Sequence, residues 1–114
     1  MLSESRVNEI ADKLSVASDV DRGTIFDIFW MHSQRIRPNE DILSSMHITE
    51  EMKEPLQSLM SDVGAIRDEE RLTSFLVHLD GQAEQADQEG NRDLVTYITM
   101  SQIVVMNKLM ELIE

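Results

Sequence analysis

The sequence predicts an all-α fold, a compact bundle of about five helices ending in a long antiparallel αα-hairpin (about 68–89 and 91–113). Three observations carry this. Apolar residues recur three or four apart in successive stretches, the repeat of one helix face. Residues suited to helix caps fall between those stretches. Between Leu94 and Ile113, thirteen positions are Leu, Val, Tyr, Ile or Met, and Lys108 and Glu111 are the only charges, in a chain of net charge −12. Such a stretch must be buried or bound.

Taken in order, Ser3 or Ser5 caps a first helix whose stripe is Val7, Ile10, Ala11 and Leu14, extended by Val16 and Ala17. A second helix runs from about Val20 or Thr24 to Arg35. Its residues Ile25, Phe26, Ile28, Phe29, Trp30 and Met31 occupy most of the circumference, which suits a core position or a partner. Phe26, Phe29, Trp30 and Phe75 are expected to cluster. The segment Asp19-Val-Asp-Arg-Gly-Thr has some of the spacing of a calcium loop, but its glycine comes one place early and Trp30 stands where a bidentate Glu is needed. It is read as a helix N-terminus. Arg35, Arg37 and Pro38 end the second helix.

Pro38 to Ser45 is the expected surface connection, with Ile42, Leu43 and Met46 turned to the bundle. Thr49 caps the next helix and Ile48 precedes it as a hydrophobic staple. Pro55 either kinks this helix or opens a separate one at Glu54-Pro55. Leu56, Leu59, Met60 and Val63 form its stripe, and Gly64 ends or bends it.

In the hairpin, Leu72, Phe75, Leu76, Leu79, Ala83 and Ala86 face the last stretch, and Gly90-Asn91 makes the turn as C-cap glycine and N-cap. Antiparallel pairing then sets Ala83 near Ile98, Leu76 near Val105 and Leu72 near Leu109. The β-branched run in Val95–Thr99 and Ile103–Val105 argues for a strand, but no turn residue interrupts the stretch and its end has helical propensity. On a helical wheel one broad apolar arc contains Leu94, Ile98, Val105, Leu109 and Leu112. A second strip, Tyr97, Met100 and Val104, lies across from it. That strip is expected to be exposed and to form a homodimer contact.

Length and composition limit the possibilities further. With 114 residues the expectation is a single helical domain, 1–114. The absence of cysteine removes disulfides, thiolate nucleophiles and thiolate metal sites and fits a cytoplasmic location. No signal peptide is read at the start. The longest uncharged run in the last stretch, Leu94 to Asn107, is fourteen residues and contains Ser101 and Gln102, too short and polar to span a bilayer. Residues 40–93 carry fourteen acids and four bases, so direct nucleic-acid or membrane binding is not expected and a basic protein partner is compatible.

No catalytic residue, metal ligand or cofactor site is predicted. The residues three before His32, His47 and His78 are Phe29, Ser44 and Phe75, so the Glu-x-x-His spacing of carboxylate-bridged metal bundles is missing. His32 is read as a helix-face residue and His78 as a helix-rim residue. The four glycines are too dispersed for a phosphate loop. The eight methionines suit either a variable partner or an aromatic-poor core. The expected function is therefore a non-enzymatic protein–protein interaction module, a small regulator, adaptor, chaperone or inhibitor, homodimeric through its C-terminal helix. The alternative is an acidic charge mimic that inhibits a nucleic-acid-binding protein or toxin, using Glu50, Glu51, Glu54, Asp62, Glu69 and Glu70 as one face. A second alternative, a metal- or small-ligand-binding bundle, requires a polar pocket around His47 or His32.

Overall fold

Each helix starts at a residue whose side chain or backbone suits the first turn. The computed structural model of the chain describes residues 2–36 and 49–114, and five α-helices account for most of them. These are α1 (Glu4–Ser18), α2 (Arg22–Met31), α3 (Glu50–Ala65), α4 (Glu69–Gln88) and α5 (Arg92–Ile113). Side-chain oxygens of Ser3, Asp21, Asp68 and Asn91 accept the orphan backbone N–H groups of Arg6, Thr24, Arg71 and Leu94. The Asp19–Thr24 segment is thus the capped start of α2. Thr49 takes the N-cap backbone of α3 without a side-chain cap bond, and Glu50 and Glu51 stand in that helix's first turn. Pro55 lies inside α3, which runs through it as one helix. The segment 37–48, with the expected contacts of Ile42, Leu43, Met46, Ile48 and His47, lies outside the described residues.

The hairpin turn is set by Gly90. Its φ of 73° is left-handed, and two bonds seal the end of α4: Asn91 N–H donates to the Ala86 carbonyl and Gly90 N–H to the Asp87 carbonyl, both at 3.0 Å. The chain reverses, and α4 and α5 form the most extensive helix pair. An Asp80–Gln102 hydrogen bond across it fixes a register within one residue of the predicted pairing.

Around the hairpin, α1 packs on α2 and α4, and α3 packs on α5. Asp12 and Asn8 of α1 hold Arg22 at the start of α2, and Arg6 pairs with Glu114 across the ends of the chain. The radius of gyration, 13.5 Å, is close to the roughly 13 Å of a folded chain of this size.

Two expectations need correction. Met100 and Val104 are 0% and 6% exposed, so the expectation of an exposed strip fails at these two positions, which their own chain covers, while Tyr97 is only partly buried against the core. The physical reason is that α5 is the central helix. With α4, α3 and α1 all packed on it, the whole arc from Ile98 to Met106 is enclosed apart from half-buried Thr99. Met106 and Met110 fill the same core. Val16 does not extend the α1 stripe: half a turn round from Val7 and Leu14, it is 85% exposed.

Candidate functional site

Gln102 is a polar residue in the middle of the most buried helix, 1% exposed, and its amide needs partners there. It has two. The amide nitrogen donates to Asp80 Oδ1 on α4 at 3.3 Å, which turns the amide oxygen toward the segment after α2. There His32 Nε2 lies 3.1 Å from Gln102 Oε1. Because that oxygen only accepts, Nε2 carries the proton, and in the neutral ring Nδ1 is a bare acceptor. His32 is 3% exposed, and among the described residues its Nδ1 is the buried side-chain polar atom without a hydrogen-bond partner. Burial pushes the imidazole below its ordinary pKa, aided by the nearby Arg35 charge, while the Gln102 bond and Asp80 act the other way. The ring is held neutral.

His32, read as a helix-face residue, is the buried C-cap of α2. It sits in the turn that closes α2, where Ile36 and Arg35 N–H groups donate to its carbonyl. His78 is exposed. The chain His32–Gln102–Asp80 forms part of the wall of a cleft of about 410 Å³ between the end of α2, α4 and α5. This size falls in the range of about 300–1,000 Å³ common for ligand sites. Met31, Ala83 and Val95 supply apolar wall, and Arg35, Asp80, Glu84 and Asp87 supply charge. The three carboxylates are spaced i, i+4, i+7, so one face of α4 carries them over about 10 Å of helix. Among the described residues none of the three is in an ion pair.

Met31 in this wall is 57% exposed; Trp30, outside the cleft lining and 45% exposed, stacks on Phe26 with ring centroids 6.1 Å apart. Phe75 sits elsewhere, in an apolar crevice of about 310 Å³ with Leu59, Val63, Ile66 and Leu72.

The acids singled out in the sequence do not line the cleft beside His32. Glu50, Glu51, Glu54 and Asp62 are exposed on the side of α3 away from Leu56 and Val63, and Glu50 accepts an ion pair from Lys53 at 2.5 Å. Glu70 is exposed and Glu69 half-buried at the start of α4. Among the described residues no group of three or more His, Asp or Glu side chains is placed to hold a metal ion, and no helix is long and apolar enough to cross a membrane. Asp80, Glu84, Asp87 and Gln102 were missed. The 80/84/87 spacing was a readable one-face signal; its alignment with His32 was not.

The fold defines an all-α bundle. Comparison of the chain with protein-family models, with curated proteins and with solved structures finds no match.

Proposed function

We propose that the protein is a non-enzymatic, cytoplasmic interaction module that receives a basic segment of a protein partner on its α2–α4–α5 face. The observation that supports this is the composition of the cleft: three carboxylates against one guanidinium, with the exposed side chain of Met31 in its wall. Methionine is a residue type enriched at interfaces, and flanking acids favour a cationic partner. A catalytic reading is weaker on chemical grounds. An amide separates the His32 ring from the Asp80 carboxylate, and a primary amide does not pass a proton as a carboxylate–imidazole pair does. Dimerisation through Tyr97, Met100 and Val104 forms no part of the proposal, since Met100 and Val104 are enclosed.

The chain's single tryptophan gives a direct test. Titration with a lysine- and arginine-rich peptide is expected to change Trp30 fluorescence saturably, with an affinity that falls as salt rises, whereas a glutamate-rich peptide leaves it unchanged. Equal responses to both peptides, or to neither, count against the proposal. The exposed α3 acids Glu50, Glu51, Glu54 and Asp62 favour a second reading, the charge mimic. It predicts basic-peptide binding that survives neutralisation of Glu84 and Asp87 and is lost on neutralisation of the α3 acids.

A further inference from the structure

We infer that His32 is a proton-operated latch: neutral, it holds the turn after α2 against the hairpin, and taking up a proton releases residues 32–36 while the α4–α5 pair stays folded. The inference concerns the free chain and does not depend on what the cleft receives.

The turn joins separate parts of the chain. His32 is the C-cap of α2, one place past the last helical residue, so the backbone can swing there without unwinding the helix. Its ring bonds Gln102 in the middle of α5 at 3.1 Å. Its carbonyl accepts from the Arg35 and Ile36 N–H groups at 2.9 and 3.2 Å, and the Ser33 carbonyl accepts from Leu2 N–H at 3.1 Å. His32, Ser33, Ile36 and Leu2 are all buried, so the closed turn excludes water from the ring. The body of α2 has its own anchors in the core, Ile25, Ile28 and Phe29. The turn can therefore leave while the helix stays.

A proton changes the balance of the closed state. In the neutral ring Nε2–H is satisfied by Gln102 and Nδ1 is an acceptor without a partner. The imidazolium carries a hydrogen on both nitrogens, and its Nδ1–H then points a buried charge at no acceptor among the described residues. A bare charged donor costs more than a bare neutral acceptor, and opening to water removes that cost. The surrounding charges do not cancel it. Burial, the largest influence, and Arg35 on the same turn disfavour the cation, against the Gln102 bond and Asp80 on α4. Glu84 and Asp87 follow Asp80 along the cleft wall, α5 presents Thr99 and Gln102 there, and α1 adds nothing to that wall. Because Met31, His32 and Arg35 form the α2 side of the cleft, release of the turn dismantles that side.

Residue-resolved amide hydrogen exchange of the whole chain tests this, with each rate divided by the intrinsic rate at the same pH. The Leu2, Arg35 and Ile36 amides are expected to be at least about tenfold less protected than Leu76 and Val105 in the hairpin, and insensitive to low urea that speeds exchange in the hairpin. Below pH 6.5 their protection is expected to fall by up to about tenfold per pH unit. His32→Gln, which keeps a hydrogen-bonding side chain but does not titrate, is expected to abolish that slope. A slope that persists in the variant, latch amides that do not respond to pH in the unaltered chain, or latch amides that match Leu76 and Val105 in protection and urea response overturns the latch. Should the variant fail to fold, the ring decides: the His32 Cε1–H resonance of the unaltered chain is expected to titrate below 6.5 in step with the loss of protection, and a midpoint at or above 6.5 overturns the inference.

Discussion

Gln102 accepts the Nε2 proton of His32 across 3.1 Å, a bond between residues seventy positions apart that ties the turn after α2 to the middle of α5. Since α2 packs mainly on α1 and α4, this bond and its continuation to Asp80 are a polar link from the end of α2 to the hairpin. It also fixes the tautomer of the ring, because the orientation of one amide determines which imidazole nitrogen is left without a partner.

Replacing Gln102 by Leu is expected to destabilise the fold despite adding apolar bulk. The change strands the buried Nε2–H of His32, at a cost of about 1–3 kcal/mol. Adding His32→Leu to Gln102→Leu removes both partners, so the double variant should lose less stability than the two singles combined. Urea denaturation of the four proteins measures this.

Stability should depend on pH through the same ring. Burial holds the His32 pKa below its ordinary value of 6.5 in the folded chain, so on acidification the unfolded chain takes up that proton first. Stability is therefore full above 6.5 and falls as the pH is lowered toward the depressed folded value, with a slope of at most about 1.4 kcal/mol per pH unit from this group. His32→Asn should remove that component. The Glu9 carboxyl, which hydrogen bonds from Lys13 and Arg6 hold below 4.5, acts in a separate and more acidic window. Thermal denaturation midpoints of the two proteins across pH 5 to 8, subtracted from one another, isolate the histidine.

Met100→Ala separates a core role from an interface role. Met100 is fully enclosed, so its truncation should cost about 2–5 kcal/mol and leave the mass measured by light scattering unchanged. A variant of native stability with a lowered mass would restore the strip as a contact between copies.

Most of the helix ends were legible because caps are local chemistry. Ser3, Asn91 and Gly90 act within a few residues of where they stand, and periodicity in Leu72, Leu76 and Leu79 names a buried face without knowledge of its neighbour. The strip Tyr97, Met100 and Val104 failed for the opposite reason. A helical wheel shows how much circumference is apolar, but the number of helices that pack on α5 is a tertiary fact, and α3 and α1 supplied cover that one hairpin partner could not. The candidate site was half legible. The 80/84/87 spacing lies within one helix, whereas the pairing of His32 with Gln102 depends on how α2 ends against α5.

Gly90→Ala tests the turn itself. A residue with a Cβ in the left-handed region costs roughly 1–2 kcal/mol, and nothing lies within 4 Å of the added carbon, so the loss should come from backbone strain alone. Gly81→Ala, in the interior of α4 with equally open surroundings, should instead be neutral or stabilising. Denaturation midpoints of the pair, measured together, check the sign of each.

The claim on which the functional account depends is that a basic partner docks at the cleft and not on the acids of α3. Residue-by-residue amide shifts of the labelled chain during titration with an arginine-containing basic peptide measure that directly. The account predicts changes grouped at Met31–Arg35, Asp80–Asp87 and Val95–Gln102; changes centred on Glu50–Asp62, with the cleft residues silent, would contradict it.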